Sequence, residues 1–170
     1  ASKSRGLGDV YKRQGNYSNL TSKLMLEELL YPVCHPIYQE RHGIYDLSDL
    51  TGADLIEDYW RDLDWGIWLQ NVGHKTSKST LKYNGSHFVL EGALAVQGVA
   101  LAKHTLAQRY IEEGKLVRIG NLAQRTDYNY FLCAPSAYFK REKIRQFCDW
   151  IFSQVEECQK EHPSDLEIID

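Results

Sequence analysis

Leu29–Tyr38 reads LLYPVCHPIY and Leu90–Leu106 reads LEGALAVQGVALAKHTL, and these two stretches decide the fold. In the first, Pro32 and Pro36 bracket a short β-branched and aromatic run. A proline ring blocks a helix through either position, so the segment reads as a strand ending in a turn. In the second, Gly92, Ala93 and Ala95 give a helix a small-residue face that lets it lie close against a sheet. Asn84 is read as the N-cap of that helix, which runs from about Ser86 to Val96 and is closed by Gly98. Val99–Ala102 follows as a short buried strand.

Working outward, Leu47–Leu50 reads as a short helix leading into an Ala53–Ile56 strand. Over Asp58–Val72, Trp65, Trp68 and Leu69 stand at i, i+3 and i+4 on one helical face. Thr80–Tyr83, Leu116–Ile119 and Tyr128–Ala134 are strand-like, the last with period-two alternation. Leu106–Glu113 is a helix ended by Gly114, and Lys140–Glu157 is an amphipathic helix. Strands alternating with helices predict a mostly parallel α/β sheet.

The chain has 170 residues, 43% hydrophobic and 25% charged, the composition of an ordinary globular protein. No apolar run approaches the length of a membrane span. Ser4–Gln14 reads SRGLGDVYKRQ, the translation of a transposase sequencing adapter, so residues 1–14 are read as non-native and set aside from the fold. That leaves 16 basic against 22 acidic residues, net −6, because four of the 20 Lys and Arg and one of the 23 Asp and Glu fall in the first fourteen. An acidic body argues against nucleic-acid binding by this segment.

Four cysteines, Cys34, Cys133, Cys148 and Cys158, form no Cys-x-x-Cys pair. Cys34 and Cys133 lie in apolar strand-like runs and read as small buried hydrophobes, with a reducing compartment implied. No nucleophile elbow, phosphate loop, dinucleotide glycine motif or paired-histidine zinc motif occurs, and the six histidines are scattered. No catalytic residue, metal ligand or cofactor is expected.

LLYPVCHP, then WGIWL (Trp65–Leu69), LEGALAVQGVALAKHTL, GKLVRI (Gly114–Ile119), YNYFLCAP (Tyr128–Pro135) and FCDWIF (Phe147–Phe152) come in an order that resembles the effector-binding half of LysR-type transcriptional regulators. The branch containing the glycine-cleavage activators is the most similar. The resemblance implies a two-lobed, type 2 periplasmic-binding-protein-like α/β module, with the second lobe complete and the first partial. It divides the chain into 15–35, a crossover region; 36–116, lobe two; 117–157, a return strand with part of lobe one; and 158–170, a loose acidic tail. It implies no enzyme but a cytoplasmic bacterial sensor, binding a small-molecule effector between the lobes. The full-length protein is expected to be a homodimer or homotetramer that meets DNA through an N-terminal winged helix-turn-helix outside this chain, with no membrane partner. The alternative is a type 2 solute-binding domain with no part in transcription.

Ligands of such folds settle outside the carboxyl ends of strands, against helix N-termini. Asn84, Ser86, His87 and Phe88 are the candidates there, with simple capping the other reading of Asn84. Asp58, Tyr59 and Trp60 follow a strand and offer a carboxylate and flat apolar faces, whereas Trp65 and Trp68 are read as packing. His35, standing where the family carries Ser beside the hinge, is either a ligand contact or an exposed turn residue. Gln97, Gly98 and Val99 match the family's Gly-Gln-Gly-Val, with Val96 in place of its first Gly, and Lys103 stands where many members have proline.

Overall fold

The structure, a computed structural model, describes residues 9–13, 19–59, 65–73, 79–159 and 165–169. It divides into two compact units: Ala1–Glu28 with Asp127–Ser164, and Leu29–Thr126 with Asp165–Asp170.

The second unit is organised by β3 (Leu29–Cys34), which is buried along its whole length. Side chains alternate across a strand. Leu30 and Cys34 accordingly enter one core cluster, while Leu29, Tyr31 and Val33 enter another. β6 (Val99–Lys103) does the same, sending Val99 and Leu101 to the first cluster and Ala100 and Ala102 to the second. Each face is roofed by helices. Over the first lie α1 (Pro36–His42), a 3-10 turn (Leu47–Gly52) and α2 (Trp65–Asn71), which bring Tyr38, Leu47, Leu50, Trp65 and Trp68. Over the second lie α3 (Ser86–Leu94) and α4 (His104–Glu112), with Val89, Leu90, Ala93 and Ala107.

With β4 (Leu55–Asp58), β5 (Ser79–Tyr83), β8 (Leu122–Arg125) and β10 (Glu167–Ile169), the sheet order is β10-β8-β3-β6-β4-β5. The short β7 (Val117–Arg118) also pairs with β3. The expected mostly parallel sheet is corrected to a mixed one: β4 is parallel to β5 and β6, but β3 runs antiparallel to β6, β7 and β8. Pro32 is tolerated in the middle of this sheet for a local reason. Its carbonyl accepts from Ile119 N–H at 3.0 Å on the edge where β3 changes partner from β8 to β7, so its nitrogen faces a gap in the ladder.

In the first unit, β1 (Asp9–Arg13), β9 (Asn129–Ala134) and β2 (Thr21–Leu26) form an antiparallel sheet in the order β1-β9-β2. α5 (Glu142–Gln159) supplies Ile144 and Cys148, which pack with Leu132 of β9.

Several boundaries differ from those read in the sequence. Residues 9–13, set aside as non-native, pair along β9; a ladder is made by main-chain groups, so an open edge accepts almost any extended segment. The division falls at Glu28/Leu29 and Thr126/Asp127, so that all of β3, β7 and β8 lie in the second unit. The tail is not loose throughout, because Glu167–Ile169 pairs parallel to β8 and Leu166 packs on the second core cluster. Pro36 opens a helix rather than a turn: at the first helical position its lacking N–H costs nothing. The residue that takes the left-handed conformation after α3 is Val96, with φ 63°, not Gly98. Glycine at 98 answers a different need, since a Cβ there would stand 2.3 Å from the Asp54 carbonyl oxygen.

Candidate functional site

The polar groups of lobe two gather where β4 and β6 end. Asp58, the last residue of β4, is 7% exposed and reaches the start of α3. Its Oδ1 accepts from Gly85 N–H at 3.1 Å and its Oδ2 from the Ser86 hydroxyl at 3.3 Å. A carboxylate from a neighbouring strand thus takes up the N–H of the N-cap residue and the hydroxyl of the first helical residue, where negative charge complements the helix dipole. This corrects the reading of Asn84 as cap: the N-cap residue is Gly85, with φ 125° and no side-chain cap bond, and Asn84 is exposed.

Lys103 closes β6 from the same end, and its Nζ donates to Ser86 Oγ at 3.5 Å. It is 2% exposed, although a lysine ending an apolar strand reads as solvent-facing. The next residue, His104, is also buried, and its Nδ1 lies 2.9 Å from the hydroxyl of buried Tyr31, which seats the first turn of α4 on β3. Glu57, 7% exposed, is ion-paired with Lys82 of β5.

Around this buried constellation stand exposed groups. Tyr59, 71% exposed, extends the β4–β5 ladder through its N–H to Tyr83 O at 2.9 Å. His87 is exposed and stands 3.6 Å from Glu91 on the same helix, with Phe88, also exposed, edge-on beside it. Trp60 lies outside the described residues.

Asp58, Tyr59, Asn84, Ser86, His87 and Phe88 are therefore brought to one end of the sheet. His35, Gln97, Gly98 and Val99 are not. Val99 pairs with Leu55 at the start of β4 and is fully buried core, and Gly98 is pressed under Asp54. Gln97 accepts from the Tyr83 hydroxyl at 2.7 Å beyond the far end of α3, a nine-residue helix about 13 Å long. His35 caps α1, its Nδ1 accepting from Ile37 N–H at 3.1 Å. That places it at the end of β3 away from the unit boundary, since Leu30 at the other end pairs with Lys103. Trp65 and Trp68 are core: both are 1% exposed, and Trp65 Nε1 donates to Ile56 O at 2.8 Å. Burial pushes the Cys34 thiol up to about 12, so it stays protonated and unreactive. Among the described residues no cluster of His, Cys, Asp and Glu is placed to hold a metal ion.

A helix-covered mixed sheet with polar groups converging at strand ends beside a helix N-terminus has the fold of the type 2 periplasmic-binding-protein-like class. Solved structures agree. The effector domain of the transcriptional regulator AmpR of Pseudomonas aeruginosa is similar with a TM-score of 0.73 at 20% identity, over 90% of this chain and 75% of that one. The AmpR effector binding domain from Citrobacter freundii gives 0.72 at 20% identity, over 87% and 74%. Residues 8–156 match the LysR substrate binding domain, and the chain belongs to that family. Curated relatives include an uncharacterized HTH-type transcriptional regulator of Sinorhizobium fredii, 29% identical over 88% of this chain and 50% of that protein. The glycine cleavage system transcriptional activator of Escherichia coli is 28% identical over 86% of this chain and 48% of its own length. The chain spans about half the length of these relatives.

Proposed function

We propose that the chain is the effector-sensing part of a bacterial LysR-type transcriptional regulator, and that lobe two takes up a small molecule at the start of α3. The observation that carries this reading is the convergence of Asp58, Ser86 and Lys103 at the carboxyl ends of β4 and β6, where α/β folds hold their ligands. Exposed Tyr59, His87 and Phe88 border it and present apolar and polar surface to a ligand. The ligand shifts a conformational equilibrium by binding one state more tightly than the other. DNA binding through a winged helix-turn-helix, assembly into a homodimer or homotetramer and a cytoplasmic location belong to this proposal for the whole protein. So does the absence of enzymatic activity, which the regulator names of the relatives support. Among the described residues no helix is long and apolar enough to cross a membrane. No observation favours a solute-binding role outside transcription.

The test is effector-dependent reporter output of the full-length regulator, measured together with melting temperature. His87→Ala and Phe88→Ala remove exposed side chains, so the fold is expected to persist while the response falls at least tenfold. Full response in both variants would place the ligand elsewhere.

A further inference from the structure

The buried charged groups of lobe two are not compensated alike. Glu57 has Lys82, Asp58 has the Gly85 N–H and the Ser86 hydroxyl, and His104 has the Tyr31 hydroxyl. Lys103, as deeply buried as any of them, has only the long 3.5 Å contact to Ser86 Oγ, and among the described residues no carboxylate stands at ion-pair distance from it. The Ser86 hydroxyl proton is already directed at Asp58, so Ser86 offers the ammonium a neutral oxygen and nothing more. A charge withdrawn from water persists when an opposite charge completes it.

The position of Lys103 shows where that charge would come from. By alternation its side chain leaves β6 on the face of Val99 and Leu101, yet its Nζ reaches the first residue of the helix that roofs the other face. The ammonium therefore reaches the start of α3, the place argued above to receive the effector.

We propose that Lys103 is the counterion for a carboxylate borne by the effector. The inference rests on the effector-binding reading and names the ligand's chemical class. Uptake exchanges the long Ser86 contact for a charge-assisted bond from Nζ to a carboxylate oxygen. A carboxylate is favoured over a phosphate ester because, among the described residues, Lys103 is the one cation bonded to Ser86, with Asp58 only two hydrogen bonds away. A dianion there meets that carboxylate with a single cation to oppose the repulsion.

Calorimetric titration and thermal melts on the 170-residue chain and on Lys103→Met test the assignment. The probes are sodium acetate, propionate, butyrate and benzoate, the corresponding amides, and inorganic phosphate, all at fixed ionic strength. At least one carboxylate is expected to bind and raise the melting temperature, while its amide does neither. Lys103→Met is expected to weaken that carboxylate at least tenfold. Without ligand, it should melt about 3 °C higher, because methionine fills a similar volume without the uncompensated charge. The proposal is overturned if no carboxylate binds the unsubstituted chain, if phosphate binds more tightly than every carboxylate, or if Lys103→Met melts lower. Equal carboxylate binding by both proteins removes Lys103 from the site and leaves effector sensing by lobe two standing. Conversely, carboxylates that bind through Lys103 without changing reporter output would sink the sensing reading and leave the anion site in place.

Discussion

The two units are built from similar elements but closed to different degrees. In Leu29–Thr126 the sheet is covered on both faces, and its central strands β3, β4 and β6 are buried at every position. In the other unit the buried cluster among the described residues comprises Leu132, Ile144 and Cys148, and α5 leaves Phe147 37% and Trp150 56% exposed. β2 there has no fully buried residue. The contrast shows what a second helical layer does: it turns strands into continuous apolar runs and fixes side chains that would otherwise share a face with water. It also separates a unit whose stability is concentrated in its core from one in which a single truncation removes little.

The largest test of that contrast is aromatic truncation. Trp65→Ala and Trp68→Ala are expected to cost about 3–5 kcal/mol, the usual range for emptying a buried aromatic site. Phe147→Ala and Trp150→Ala should cost less than about 1 kcal/mol, as exposed substitutions do. Urea midpoints with slopes checked for constancy would decide it, and Trp150→Ala falling as far as Trp68→Ala would refute the difference. Phenylalanine variants sharpen the point within the core. Trp65→Phe leaves the Ile56 carbonyl without its donor, whereas Trp68 Nε1 is buried with no acceptor among the described residues, so Trp68→Phe removes an unsatisfied group. Trp65→Phe should therefore be the costlier change, by about 1–2 kcal/mol.

The same contrast explains what could be read in the sequence. Strands buried on both faces announce themselves, as LLYPVC and VALA did. β2, with Lys23 and Leu24 exposed and Thr21 and Ser22 half-buried, carries no such run and has no signature of its own in the sequence. β10 was hidden by its acidic neighbours, although Leu166, Ile168 and Ile169 form a short apolar group. The grouping of candidate residues was legible where it follows from strand and helix ends, which is why Asp58, Ser86 and His87 stand together. It was illegible where a partner comes from far along the chain. Asp58 bonds Gly85 at the start of α3 across 27 residues, and Lys103 reaches Ser86 across 17. No local pattern encodes either contact. Gln97, Gly98 and Val99, matched to the family by motif, lie instead where α3 is joined to β6, away from Asp58 and Ser86.

A smaller effect separates the joint after α3 from the core it touches. Val96 is left-handed, a conformation that crowds a β-branched side chain, and it is also packed against the first core cluster. Val96→Gly and Val96→Ala both delete the same packing, but only glycine relieves the backbone. The glycine variant should therefore be the more stable of the two by roughly 1 kcal/mol, the reverse of their order in a helix. An alanine variant equal to or better than glycine in thermal melts would show that residue 96 is not held left-handed.

The smallest effect concerns β10, the edge strand farthest from the core of its sheet. Arg118 Nη2 donates to Asp165 Oδ1 at 3.0 Å and Oδ2 at 2.7 Å, and this guanidinium contact holds the Asp165 carboxyl below its ordinary value of 3.8. The sign follows from the direction of the shift: a carboxyl depressed in the folded chain contributes fully above its unfolded value, and the contribution is lost as pH falls through the lower folded one. The pair is exposed and screened, so the loss is local and salt-sensitive. The amide resonances of Ile168 and Ile169 should stay constant from about pH 8 down to about pH 5. They should move only on further acidification below the ordinary Asp range, sooner in high salt, as the β8–β10 ladder loosens. In Asp165→Asn the same resonances should show no acid-dependent step of this origin. If they shifted between pH 5 and 8, or if the Asn variant retained the acid transition, then Leu166 and the ladder alone, not Arg118, would hold this strand to lobe two.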